Sequence, residues 1–161
     1  MRPSRSLQGL RYLLVLTPTL ILTVCLFALA STARAGAQVA WTTDDNGPGS
    51  LRQALIDAVP GDTIYFGSNL SGQSIVLTST LVISKNLTVD GGGLVIPVTL
   101  SGNNAVRVMQ VSNNARVTLS SLTLTRGKDA GTSCASASSC GGGLRVDTGA
   151  AVTLTNSTFF S

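Results

Sequence analysis

Residues 117–124 are Val117-Thr118-Leu119-Ser120-Ser121-Leu122-Thr123-Leu124, two short runs in which apolar and hydroxyl side chains alternate. Successive side chains of a β-strand point to opposite faces. Each run therefore predicts a short strand with a buried Val/Leu side and a Thr side towards solvent. The Ser pair between the runs predicts a tight corner, and from Thr63 onward similar runs recur between Gly, Asn and Ser residues.

The runs form a repeat when Ile83, Val111 and Val146 are taken as common origins. Apolar residues then recur two residues before each origin and six, eight, eleven and thirteen residues after it, with Gly91 and Ser157 as the exceptions. The positions between them are mostly polar. The predicted inward residues are Leu81, Ile83, Val89, Leu94 and Ile96 in the first copy, Met109, Val111, Val117, Leu119, Leu122 and Leu124 in the second, and Leu144, Val146, Val152, Leu154 and Phe159 in the third.

Three short strands per repeat with a shared inward register predict an all-β fold, a parallel β-helix whose coils occupy residues 63–161. One coil cannot bury its apolar side alone, so neighbouring coils must stack on it. The alternative is an antiparallel sandwich with strands that align by chance. The origins are 28 and 35 residues apart, and the longer interval predicts a loop insertion at residues 128–143.

An N-terminal cap is predicted over residues 38–62. Ser50 and Gln53 have the spacing of a capping box, in which each side chain bonds the backbone of the other residue. An apolar stripe with helical spacing follows, and Pro60 and Gly61 end it. The sequence therefore predicts one short amphipathic helix at 50–59.

Residues 1–35 have the pattern of a signal peptide that forms a helix, with a basic start, an apolar stretch and small residues for cleavage after Ala35 or Ala37. The alternative is an uncleaved membrane anchor at residues 13–30, which approaches the length of a membrane span. The chain's net charge of +4 comes from the four Arg residues of this segment. Without them seven Lys and Arg face seven Asp, and we expect no nucleic-acid partner.

The sequence offers few groups for catalysis. It has no His, which excludes Ser-His-Asp and His-zinc sites. Asp90 is predicted to point outward, with Thr118 and Thr153 at the matching places. Glycoside hydrolysis by the usual route needs two carboxyl groups, so we expect no catalytic residues, no metal site and no cofactor.

Two further pairs of residues have structural and binding interpretations. Cys134 and Cys140 are candidates for a disulfide in an exported chain, with free thiols as the alternative. Gln110 and Arg145 share an outward column and are candidates for contact with an acidic sugar, although solvated edge charges explain them equally well.

The segments Asp44–Leu55, Pro60–Phe66 and Leu87–Gly93 resemble the start of secreted bacterial right-handed parallel β-helix proteins of the pectate-lyase-like and polymorphic-outer-membrane-protein-like kind. In that family a Ser-Leu-Arg-x-Ala helix caps the first coil. The resemblance covers residues 42–161. Because family members usually carry many more coils, we expect a truncated C-terminus whose uncapped coil is available for self-association.

The function expected from the resemblance is noncatalytic. The chain would be a secreted or cell-surface stalk or adhesin-like passenger that presents a polar face to carbohydrate or cell surfaces. One alternative is the N-terminal fragment of a polysaccharide lyase or glycoside hydrolase whose catalytic coils are missing. The other is an envelope-anchored structural protein, with membrane contact only if residues 13–30 stay uncleaved.

Overall fold

The computed structural model describes residues 35–129 and 141–160. Residues 1–34 of the predicted signal peptide, the alternative anchor at 13–30 and the pair Cys134 and Cys140 lie outside these ranges. The described part contains one α-helix and twelve strands. Their bounds are β1 Ala37–Ala40, α1 Leu51–Asp57, β2 Thr63–Phe66, β3 Ser74–Val76, β4 Leu81–Ile83, β5 Leu87–Asp90, β6 Val98–Ser101, β7 Met109–Val111, β8 Arg116–Ser120, β9 Leu122–Thr125, β10 Leu144–Val146, β11 Ala151–Thr155 and β12 Thr158–Phe160.

The strands form three parallel sheets. Sheet A has the order β1-β2-β5-β8-β11, sheet B has β3-β6-β9-β12, and sheet C has β4-β7-β10. Every pairing between neighbouring strands in the described residues is parallel. The antiparallel sandwich is therefore wrong. From β2 onward the chain visits sheets A, B and C in turn, so each sheet gains one strand per pass.

The alternating sequence produces the core. In sheet A the inward row is Ile64, Val89, Leu119 and Leu154, and in sheet B it is Ile75, Leu100, Leu124 and Phe159. In the first three passes these inward side chains are fully buried and belong to one hydrophobic cluster. The outward row of sheet A is Thr63, Thr88, Thr118 and Thr153. Apolar rows thus face inward and hydroxyl rows face outward.

The register of the first predicted copy needs correction. Ile83, Val111 and Val146 align as predicted, and so do Val117 and Val152. However, Val89 pairs with Leu119 rather than Val117. Leu87 follows Ile83 by four positions, whereas Val117 follows Val111 by six. The first corner between sheets C and A is therefore two residues shorter than the second.

The third strand of that copy is displaced further. Leu100 pairs with Leu124, where the repeat predicted Ile96. Likewise, Val98 pairs with Leu122, where the repeat predicted Leu94. Residues 91–97 form an extra link between β5 and β6. In this link Ile96 is 58% exposed, whereas Leu100 is fully buried.

The helix closes one end of the core. Ser50 has an extended backbone, and its hydroxyl accepts a hydrogen bond from the backbone N–H of Gln53 at 3.1 Å. The Gln53 side chain does not return to Ser50 as a capping box requires; it donates to Asp57 at 2.8 Å. The helix ends at Asp57, where 50–59 was predicted. Within the described residues no helix has the length and apolar character needed to cross a membrane.

Candidate functional site: the Asp147 corner

The two predicted ligand-facing residues lie side by side on the outer face of sheet C. Gln110 and Arg145 are register partners on the adjacent strands β7 and β10. The strand neighbours of Gln110, Met109 and Val111, are fully buried, so the period of two places Gln110 on the solvent side. Its register partner Arg145 lies on the same side. Val82 of β4 continues the same row and is exposed.

Both side chains bind Asp147, which the sequence analysis did not single out. Asp147 follows β10 directly, and its carboxylate accepts from Nε2 of Gln110 and from Nε of Arg145, each at 2.7 Å. Its backbone N–H donates to the carbonyl of Val111 at 2.9 Å. The signal in the sequence was the spacing of two between Arg145 and Asp147, which puts them on one side of an extended chain. We call Gln110, Arg145, Asp147 and the cavity beside them the Asp147 corner.

The electrostatics keep this carboxylate ionised. The hydrogen bond from Gln110 lowers the pKa of Asp147, and it outweighs the opposing effect of desolvation. The hydrogen bond and positive charge of Arg145 lower the pKa further. A carboxylate held in this way serves as a fixed acceptor and is a poor proton donor at neutral pH.

A cavity of about 490 Å³ opens at this corner. The residues that line it are, apart from Val146, of polar type: Ser112, Asn113, Asn114, Arg145, Asp147 and Thr148. Asn113 and Asn114 have φ values of 54° and 57°, the left-handed region that Asn tolerates better than most residues. Two consecutive left-handed residues turn the chain sharply from sheet C to sheet A.

The chemistry of the corner suits a ligand with hydroxyl and carboxylate groups. Hydroxyl and amide side chains both donate and accept hydrogen bonds. A guanidinium presents several donors in a plane that matches a carboxylate. Arg145 commits Nε to Asp147, yet 27% of its side chain is exposed. Part of the Arg145 side chain is therefore accessible, and Arg145 lines the cavity.

A second cavity, of about 420 Å³, lies between α1 and β4. Its two cations have structural partners. Arg52 donates to Asp45 and to the carbonyls of Ser79 and Thr80, and Lys85 donates to two carbonyls at the end of α1. These bonds fix the helix to the sheets, so this cavity is the weaker candidate for a ligand site.

Asp90 also has a structural partner. Its carboxylate accepts from the backbone N–H of Gly92 at 2.8 Å. On the neighbouring strands Asp90 pairs with Tyr65 and Ser120. The repeat had predicted Thr118 as its neighbour. Among residues 35–129 and 141–160, no group of three His, Cys, Asp or Glu side chains is arranged to hold a metal ion.

Arg107 holds the two sides of the predicted insertion. Its side chain is almost completely buried, and it donates to the carbonyl of Gly141 at 3.1 Å and to the carboxylate of Asp129. Lys128 N–H also bonds the carbonyl of Val106 at 2.9 Å. Both described ends of the insertion are therefore bonded to Val106 and Arg107.

No family model, curated protein or solved structure matches this chain.

Proposed function

We propose that the chain is a right-handed parallel β-helix, exported to the cell surface or beyond, whose polar wall binds carbohydrate without catalysis. The order in which the chain visits the three parallel sheets supports a solenoid. Crossovers between parallel strands of one sheet are right-handed in about 98% of cases, which supports the hand. The resemblance of residues 42–161 to secreted β-helix proteins supports the same interpretation.

Three carboxylates make structural hydrogen bonds, and this supports a noncatalytic role. Asp45 binds Arg52 and Thr78, Asp62 binds two backbone N–H groups, and Asp147 binds Gln110 and Arg145. A glycosidase acid must instead be held protonated near neutral pH. The pKa values of these three carboxyl groups are all lowered, which is the opposite direction.

The observation that carries the binding proposal is the Asp147 corner, where Arg145 borders an open polar cavity of about 490 Å³. Asp147 and Gln110 fix the direction of the guanidinium, so little side-chain entropy is lost when a ligand binds. The ligand class that fits is an acidic oligosaccharide, because one sugar carboxylate can meet Arg145 while sugar hydroxyls meet Ser112, Asn113 and Thr148. Neutral sugars would lack the charged bond.

Calorimetric titration of the purified chain with oligogalacturonate and with a neutral malto-oligosaccharide tests this proposal. We expect the acidic oligomer to bind more tightly, and Arg145→Gln to weaken it at least about tenfold, since a hydrogen bond to a charged group contributes about 1.5–3 kcal/mol. Arg126→Gln removes an exposed cation at the corner directly after β9 of sheet B and is the matched control. Equal affinities for both oligomers, or equal losses in both variants, would contradict the proposal.

The same samples test the noncatalytic role and export. Cleavage of either oligosaccharide that Asp147→Asn abolishes would show an enzyme. The intact mass of protein recovered from the medium tests the leader, because we expect loss of residues up to Ala35 or Ala37. A mass that retains Met1 would favour the anchored alternative.

A further inference from the structure

The pass formed by β10, β11 and β12 leaves its inward side chains uncovered. Leu154 lies in the row of Ile64, Val89 and Leu119, all fully buried, yet it is 46% exposed. Phe159 lies in the row of the fully buried Leu100 and Leu124 and is 42% exposed. Val146 of β10 is similarly exposed beside the buried Val111. We call this surface the open face.

The open face also presents backbone groups for pairing. Strands β10, β11 and β12 are each the last strand in the order of their sheets. One edge of each strand therefore has no strand neighbour in the described part of the chain. Exposed apolar rows combined with unpaired strand edges are a template for adding strands.

The opposite side of the stack differs, because α1 covers it. Leu51, Ala54 and Leu55 of α1 are buried in the same hydrophobic cluster as the inward rows. Arg52 and Lys85 bond this helix to the corners on either side of β4. An open face cannot stack directly on strands that the helix already covers, which disfavours a head-to-tail polymer of copies.

We propose that the open face binds the open face of a second copy of the chain, forming a two-fold dimer. A two-fold axis perpendicular both to the stacking direction and to β11 reverses strand direction, so β11 would pair antiparallel with its own copy. The alternation in Ala151–Thr155 is symmetric about Thr153. With the axis beside Thr153, Val152 meets Leu154 of the partner subunit, and both residues belong to inward rows. Such a self-complementary patch is the requirement of a two-fold interface.

Charge supports the same partner. Arg145 is the one charged residue in β10, β11 and β12, and Asp147 of the same chain is bonded to it. Two open faces can therefore approach without a net repulsion between like charges. The pairing does not depend on carbohydrate binding, so the two proposals can fail separately.

Light scattering coupled to size-exclusion chromatography tests the dimer on the purified protein. We expect the mass of two chains at high concentration, falling towards one chain on dilution. Leu154→Asp and, separately, Phe159→Asp should shift the protein to monomer at concentrations where the wild type is dimeric. Thr118→Asp, an outward residue of the same sheet one pass earlier, is the matched control and should remain dimeric.

Three outcomes would overturn the proposal. They are a wild-type monomer at the highest soluble concentration, assemblies larger than two chains, and a control variant that dissociates as fully as Leu154→Asp. Circular dichroism of each variant separates loss of pairing from loss of folding. If both Asp variants unfold, the dilution series of the wild type alone still decides between dimer and monomer.

Discussion

The guanidinium of Arg52 meets the carboxylate of Asp45 at 2.6 Å, and both side chains bond the corner before β4. Arg52 also donates to the carbonyls of Ser79 and Thr80, while Thr78 donates to Asp45 through its backbone N–H at 3.0 Å. Only 7% of the Asp45 side chain is exposed. Burial alone would raise the pKa of Asp45, but the hydrogen bonds from Thr78 and Arg52 outweigh it and lower the pKa.

Asp45→Ala should destabilise the fold by about 2–3 kcal/mol, because it removes the charge-assisted bonds from Arg52 and Thr78 and leaves the Thr78 N–H without its acceptor. The free energy of unfolding in urea measures this loss. The control is Asp44→Ala, which removes the adjacent, exposed carboxylate that accepts from Thr42. Equal losses in the two variants would show that the Asp45 network does not anchor the cap.

The start of α1 gives a second test. Ser50 is fully buried and caps the helix through Gln53 N–H, so Ser50→Ala should lower the free energy of unfolding by about 0.5–2 kcal/mol. The Gln53 side chain bonds Asp57 on the surface instead of the cap, so Gln53→Ala should cost much less. Thermal and urea unfolding of both variants would check this. A comparable loss in Gln53→Ala would indicate a complete capping box.

The sequence predicted the parallel stacking because alternation and spacing agree where the corners have equal length. Val111 to Val117 and Val146 to Val152 both span six residues, and the structure aligns both pairs. The first copy failed at Val89 because its corner is two residues shorter. A shift of two keeps every side chain on its own face, so the alternation could not reveal the error.

The Asp147 corner was predicted only in part. The repeat placed Gln110 beside Arg145, because a shared register follows from spacing. It did not reveal Asp147, whose contacts depend on how the chain turns after β10. That turn contains the left-handed Gly149. The spacing of two between Arg145 and Asp147 indicates a shared side of the chain, but it does not indicate the contact between Asp147 and Gln110 on another strand.

The corrected register determines which core substitutions should destabilise the fold. Leu100→Ala should cost about 2–5 kcal/mol, because it removes a fully buried side chain and leaves a cavity. Ile96→Ala should cost far less, since Ile96 lies in the exposed link between β5 and β6. Urea unfolding of the two variants is the measurement. A larger loss for Ile96→Ala would favour the register first predicted from the sequence.

The carboxylate of Asp62 should control stability in acid. It is almost completely buried, and hydrogen bonds from the backbone N–H groups of Val59 and Gly36 lower its pKa below the ordinary value of 3.8. The unfolded chain therefore binds the proton more readily than the folded chain. The stabilisation is complete well above pH 3.8 and is lost as the pH falls through the lowered pKa.

Asp62→Asn should accordingly flatten the fall in unfolding free energy between about pH 5 and pH 2. Asp57→Asn, at an exposed carboxylate, provides the control. An unchanged slope in Asp62→Asn would show that this buried carboxylate does not govern acid unfolding.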